Sequence, residues 1–231
     1  MTNLTEKSYT LIRQALLSDQ VSEAKRFSIS ELSQRLGIGR SPVRDAVNRL
    51  AAEGILQSVA KSGIVVRVAS FAELQDIVGL REALETYAVV RACATMDYAQ
   101  RRQLHALCLK MKGLARRIRA TRFTDEALHR DMQRADWGFH QLILEAADNS
   151  IMQKIIEDHH LLLRKVRYPS LPTVRHLALT LLEHWRICRA IERDDAEAAH
   201  LWMLRHARRG GKAMLESWRR TAMVPDEKLK S

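Results

Sequence analysis

Four side chains in the C-terminal part of the sequence have the types and the spacing of a metal-ligand set. Asp136 and His140 stand four residues apart in Asp136-Trp137-Gly138-Phe139-His140, which puts a carboxylate and an imidazole one above the other on one helix face. Both groups coordinate divalent cations. His184 lies ten residues before Asp194 and His206 twelve after it. Two antiparallel helices hinged at Asp194 would carry them to nearly the same height, with an axial mismatch of about 3 Å at ~1.5 Å per residue. Three imidazoles and one carboxylate meeting inside a helical bundle would hold a divalent metal ion and leave coordination positions for water or an acidic ligand. Zinc is the first choice for so histidine-rich a set, although nickel, manganese or iron would accept the same ligands. The remaining histidines, His105, His129, His159, His160, His176 and His200, lack this arrangement and read as surface or interhelical residues.

A second group of residues has the chemistry of a DNA-reading surface. Val43, Ala46, Val47 and Leu50 form an apolar stripe at helical spacing, which leaves Ser41, Arg44, Asp45 and Asn48 on the opposite face and Arg40 just before it. Arginine near the start of a recognition helix can grip both acceptors on the major-groove edge of guanine. Arg40 and Arg44 are therefore the leading candidates for base or phosphate contacts, with Ser41 and Asn48 beside them. Further on, Ala60-Lys61-Ser62-Gly63 separates two strand-like runs and reads as a basic hairpin tip. There Lys61 would meet phosphate and Gly63 would allow close approach.

These residues need elements to hold them, and local signals mark where the elements begin and end. Ser28-Ile29-Ser30-Glu31 is a capping-box pattern; the helix it opens carries Leu32 and Leu36 and stops at Gly37. Ser41 is placed to cap the next helix, with Pro42 at its first position and Gly54 at its end. Two short helices joined by a Gly-containing turn make a helix-turn-helix. Strand-like runs at Ile55–Val59 and Ile64–Val68 supply a wing. Near residue 70 the hydrophobic period changes, and Ser70-Phe71-Ala72-Glu73 is a second capping box opening a long helix to about Met96. Helical patterns follow over Tyr98–Ile118, Thr124–Ala147, Ser150–Tyr168, Thr173–Arg193 and Asp195–Trp218, punctuated at Asp148-Asn149, Pro169–Pro172 and Asp194. Gly210-Gly211 interrupts the last of them, at about 2 kcal/mol of helix stability relative to alanine.

The fold expected is mainly α. A winged helix-turn-helix domain occupies residues 1–69, an all-α antiparallel bundle residues 70–225, and residues 226–231 form a frayed tail. Composition agrees: 231 residues, 46% hydrophobic and 28% charged, describe a globular chain rich in helix formers, not a disordered or fibrous one. A formal charge of +11 calls for a polyanionic partner. No run approaches the ~20 apolar residues of a membrane span, and MTNLTEKSYT lacks the apolar core of a signal peptide, so a cytoplasmic protein without membrane association is expected. Cys93, Cys108 and Cys188 stand singly in helical contexts and read as reduced core residues.

The segment Arg40-Ser41-Pro42-Val43-Arg44-Asp45-Ala46-Val47-Asn48-Arg49-Leu50-Ala51-Ala52-Glu53-Gly54-Ile55 resembles the recognition segment of GntR-family transcriptional regulators. The resemblance implies DNA contacts from Arg40, Ser41, Arg44 and Gly63. Some members carry a further DNA-contacting arginine where this chain has Ser30, so operator preference does not carry over. The spacing of Asp136, His140, His184 and His206 is similar to the effector domain of the FadR-like branch, the FCD domain, and implies that these four bind the metal. The same likeness aligns Arg81 and Glu85 with an arginine and glutamate of the family and makes Arg81 a candidate for binding the effector; a structural ion pair is the competing reading.

The function expected is a ligand-controlled operator binder. A homodimer on a palindromic double-stranded site would respond to a small carboxylate, with repression relieved by a metabolite as the simplest sign of control. A metal-free regulator of the same fold, answering acyl-CoA or another bulky ligand, is the alternative. A metal-dependent enzyme is the third reading; against it, no general base is evident beside the ligands and a DNA-reading domain would be superfluous.

Overall fold

The computed structural model describes residues 4–17, 26–59, 63–67, 69–121, 125–167 and 174–222. Lys61 and the tail from residue 226 lie outside the described residues. Two compact units are present, Met1–Ala69 with Asp158–Val166, and Ser70–Glu157 with Arg167–Ser231.

The first unit contains helices α1 (Leu4–Leu17), α2 (Ile29–Leu36) and α3 (Arg40–Ala52) and strands β1 (Leu56–Val59) and β2 (Gly63–Val66). The capping box at α2 forms as the sequence predicts: Ser28 accepts from the Glu31 backbone N–H, and the Glu31 carboxylate accepts from the Ser28 N–H. Gly37 ends α2 at φ 63°, a left-handed conformation that glycine adopts without penalty. At α3 the expectation needs correction. The helix begins at Arg40 with Gly39 as its N-cap, and no side chain caps it. Ser41 and Pro42 therefore sit inside the first turn, and the Ser41 hydroxyl is not consumed as a cap. Helix α1, to which the sequence reading assigns no element, packs on α3 through buried Tyr9, Ile12 and Leu16.

Strands β1 and β2 pair antiparallel from Leu56↔Val66 to Val59↔Gly63, and Phe27 adds a bridge to Ile64 with backbone hydrogen bonds in both directions. That bridge gives Gly63 a structural duty. Its φ is +91°, and a Cβ there would lie 2.8 Å from the Phe27 carbonyl oxygen, so only glycine fits.

The second unit is an antiparallel helical bundle of α4 (Phe71–Thr95), α5 (Tyr98–Ala120), α6 (Glu126–Ala146), α8 (Val174–Glu192) and α9 (Ala196–Ala222); α7 (Ser150–Arg167) begins in this unit, and its residues Asp158–Val166 group with the first. The Ser70/Glu73 capping box opens α4, and a third box, Asp97 with Gln100, opens α5. Helix α4 packs against α6, α8 and α9, and α5 against α6 and α8. Phe139, Ile143, Leu104, Met111, Ile187 and Met203 are buried where these helices meet; each such side chain contributes about 1.5–3 kcal/mol relative to exposure. Asp148 and Asp194 mark the expected breaks with positive φ, 51° and 57°. Arg101 of α5 ties the second turn down, donating to the Ile191 carbonyl at 2.7 Å and to Asp194 Oδ1 at 2.7 Å. Cys93, Cys108 and Cys188 are free and buried. Among the described residues, no helix is long and apolar enough to cross a membrane.

Gly210-Gly211 does not interrupt α9, which runs unbroken through both. The reason is close packing with α4: a Cβ built on Gly211 would overlap Val78 Cγ1, a stiff β-branched side chain, whereas one on Gly210 meets nothing within 4 Å. Opposite effects are expected from neighbouring substitutions. Gly211→Ala lowers stability by about 1–3 kcal/mol through overpacking, while Gly210→Ala raises it by up to ~1 kcal/mol through helix propensity. Urea midpoints of the two variants decide; equal stability of Gly211→Ala and the parent chain would overturn the packing account.

Candidate metal centre and nucleic-acid face

Helix α6 presents Asp136 and His140 on one face, α8 presents His184, and α9 presents His206. All four are buried. The turn at Asp194 sets α8 and α9 in the register expected from the sequence, with the His184 and His206 rings 4.5 Å apart. Ligand atoms of His140, His184 and His206 lie within 4.8 Å of one another and could hold a metal ion. Asp136 Oδ1 is 3.5 Å from His184 Nε2. The Phe139 ring, 4.5 Å from that of His184, walls the cluster on one side.

Two carboxylates behind the imidazoles define which nitrogens face inward. His140 Nδ1 lies 3.3 Å from Glu85 Oε2, and Glu85 is held by Arg81, whose Nε donates to Oε1 at 2.8 Å. His206 Nδ1 lies 3.1 Å from Glu183 Oε2, and Arg209 donates to Glu183 through Nε at 2.8 Å and Nη2 at 2.6 Å. Burial pushes the Glu85 carboxyl up, but Arg81 and His140 outweigh it and hold it well below the ordinary carboxylate range. Burial likewise raises Glu183, and its hydrogen bonds to His206 and Arg209 bring it down to about 2. Both are ionised at neutral pH. The hydrogen bond to Glu183 places the ring proton of His206 on Nδ1, whereas His140 Nδ1 and Glu85 Oε2 are buried without a hydrogen-bond partner.

The Nε2 atoms of His140 and His206 are 3.2 Å apart, within reach of a hydrogen bond or of one shared cation. Burial lowers the His206 pKa against the opposing pull of Glu183, which disfavours a second proton on that ring. A cation satisfies the geometry: two nitrogens each ~2.1 Å from one metal ion lie about 3.0–3.4 Å apart. A carboxylate behind each coordinating imidazole is also the usual means of fixing its tautomer and raising its basicity.

Glu85, Glu183 and Arg209 thus belong to the cluster. The sequence reading takes Glu85 only as a partner of Arg81 and gives no role to Arg209. The available signals are weak: Glu183 precedes His184, and Arg209 follows His206 by three residues, within one turn. Arg81 is buried and engaged with Glu85, an arrangement that fits the ion-pair reading.

In the first unit, Arg40, Ser41, Arg44 and Asn48 are all exposed, while Val43, Ala46, Val47 and Leu50 are buried. Among the described residues neither Arg40 nor Arg44 makes an ion pair. Arg49, on the same helix, is committed elsewhere: it pairs with Glu6 at 2.8 Å and Glu53 at 3.2 Å and lies over the Tyr9 ring.

Residues 4–66 match the family described as bacterial regulatory proteins, gntR family, and residues 76–209 match the FCD domain. The chain is 25% identical over 203 residues to the HTH-type transcriptional repressor RspR of Escherichia coli strain K12, an alignment covering 88% of this chain and 85% of that protein. Among solved structures, E. coli McbR/YncC superposes with a TM-score of 0.76 at 17% identity, covering 94% of this chain and 100% of that one. A GntR regulator from Rhodococcus sp. RHA1, described as putative, gives 0.67 at 18% identity, covering 92% and 97%.

Proposed function

The chain belongs to the gntR family of bacterial regulatory proteins and carries an FCD domain, and on that premise we propose that a small organic acid, held at a metal centre in the helical bundle, controls its binding to an operator. The protein is a transcriptional regulator and not an enzyme. The ligands proposed are Asp136, His140, His184 and His206, with zinc as the ion. The observation that carries this reading is the pair of facing Nε2 atoms at 3.2 Å, each backed by an ionised carboxylate. Asp136 and three neutral imidazoles leave the metal a net positive charge and open positions, which suits a carboxylate effector. Arg81 on α4, paired with Glu85, is the further residue proposed to meet the effector.

The DNA contacts proposed are Arg40, Ser41, Arg44 and Asn48 in the major groove, with Lys61 and Gly63 at the wing. The action proposed is that of a cytoplasmic homodimer on a palindromic operator, because a two-fold protein matches two-fold half-sites. Effector binding shifts the population between forms of unequal DNA affinity, which requires the acid to bind those forms unequally. Repression relieved by the acid is the sign proposed, and the repressor named among the relatives supports it.

Elemental analysis of chain purified without a metal-affinity tag tests the centre. One equivalent per chain is expected, lost in the His184→Ala, His206→Ala double variant. No metal in either protein would move the reading to a metal-free regulator. Operator binding titrated against a panel of small carboxylates then tests control.

A further inference from the structure

A second group of metal-ligating side chains lies between α5 and α8, away from the histidine cluster. His105 and Cys108 are three residues apart on α5, and Cys188 and Glu192 four apart on α8. Each pair therefore shares one helix face, and the two helices pack together. His105 Nδ1 lies 2.8 Å from Glu192 Oε1. Cys188 Sγ lies 3.7 Å from the same oxygen. Ligand atoms of His105, Cys188 and Glu192 all fall within 4.8 Å of one another.

We propose that His105, Cys188 and Glu192 form a second metal site, selective for a thiophilic divalent cation of the zinc class. The donor set contains one sulfur, one imidazole nitrogen and one carboxylate oxygen, a combination that zinc accepts in tetrahedral geometry with water in the fourth position. Around a tetrahedral zinc, sulfur and oxygen ligands stand about 3.5 Å apart, and nitrogen and oxygen ligands about 3.3 Å. The sulfur–oxygen separation is thus already close, and the His105–Glu192 contact opens by about half an ångström. Arg189 donates to the outer oxygen, Glu192 Oε2, at 2.7 Å, leaving Oε1 directed at the cluster. The Trp185 ring meets His105 edge-on, with centroids 5.1 Å apart, and limits its rotation.

The site is buried at its sulfur end and open at the other. Cys188 is 0% exposed, whereas the side chains of His105 and Glu192 are 36% and 22% exposed, which provides an entry path. Cys108 beside it, together with burial, pushes the Cys188 thiol up. Binding balances as one divalent cation taken up and one thiol proton released to solvent, with no change of oxidation state. Without a cation, Glu192 accepts from Arg189 at Oε2 and contacts His105 Nδ1 through Oε1.

Sulfur distinguishes this site from the histidine cluster, which has none. Cobalt(II) added to metal-stripped chain is expected to bind to two equivalents and to develop a thiolate-to-cobalt charge-transfer band in the near ultraviolet. The band should survive in the His140→Ala, His206→Ala variant and in Cys93→Ser, and be lost in Cys188→Ser. Because Cys188 is fully buried, His105→Ala, at a partly exposed position, provides a second variant, expected to weaken binding of the sulfur-bound equivalent while far-ultraviolet circular dichroism stays unchanged. No thiolate band in the parent chain, or a band that persists in Cys188→Ser, would overturn the proposal. The histidine centre stands or falls separately on its own equivalent, the one that gives no sulfur band.

Discussion

Zinc at about a hundred times its dissociation constant raises the melting temperature of the metal-stripped helical unit by roughly 5–10 °C, and His206→Ala removes that rise. Binding to the folded form alone stabilises by about 2.7 kcal/mol at that ratio, and a unit of this size gains about 2–4 °C per kcal/mol. The effect is large because the fold already brings the ligands together. Glu85, held by Arg81, lies beside one imidazole and Glu183, held by Arg209, fixes another, so that Nε2 of His140 and Nε2 of His206 face each other at 3.2 Å. A metal takes both nitrogens as ligands, and neither ring has to turn. Replacing the supporting carboxylate alone, as Glu183→Gln, is expected to weaken zinc binding about 10- to 100-fold while all four proposed ligands stay in place. Differential scanning calorimetry with and without zinc reads both variants. A zinc-dependent rise retained at full size in His206→Ala would sink the assignment of that residue.

What the sequence made legible was what sequence neighbours decide. The capping boxes at Ser28 and Ser70 each close over three residues, and both form. The stripe of Val43, Ala46, Val47 and Leu50 follows from helical period alone and is buried. The turn at Asp194 sets the register of α8 and α9, so counting residues from it brings His184 and His206 together. Features decided across long separations stayed hidden. Helix α1 is fastened by Tyr9 donating to Glu53 and by Arg49 over the Tyr9 ring, partners some forty residues away. Glu183 adjoins His184 in sequence yet serves His206, because successive helical side chains diverge by about 100° and point at different neighbours. Gly211 reads as a helix breaker by propensity, but the closeness of α4 decides its identity, and Val78 lies more than a hundred residues upstream.

Arg44→Ala is expected to weaken operator binding by roughly 5- to 150-fold, the equivalent of about 1–3 kcal/mol for one bidentate base contact. The argument rests on contrast within a single helix. Arg44 and Arg40 are exposed and, among the described residues, make no ion pair, so they meet DNA without first giving up a protein partner. Arg49 is equally cationic but engaged with Glu6, Glu53 and Tyr9; Arg49→Ala should loosen the attachment of α1 and leave sequence discrimination unchanged. Salt dependence separates the roles of the two candidates. If Arg40 contacts phosphate, Arg40→Ala reduces the slope of log affinity against log salt by about 1 and weakens specific and nonspecific DNA alike. A base-reading Arg44 instead loses the preference for operator over nonspecific DNA when removed. Gly39 caps α3 without a side chain, so the first backbone N–H groups of the helix remain for a phosphate, and Ser41 keeps its hydroxyl for the same strand. Fluorescence anisotropy with operator and scrambled duplexes at several salt concentrations measures all of these. Arg44→Ala binding operator within about twofold of the parent chain, less than half a kcal/mol, would remove this residue from the reading surface.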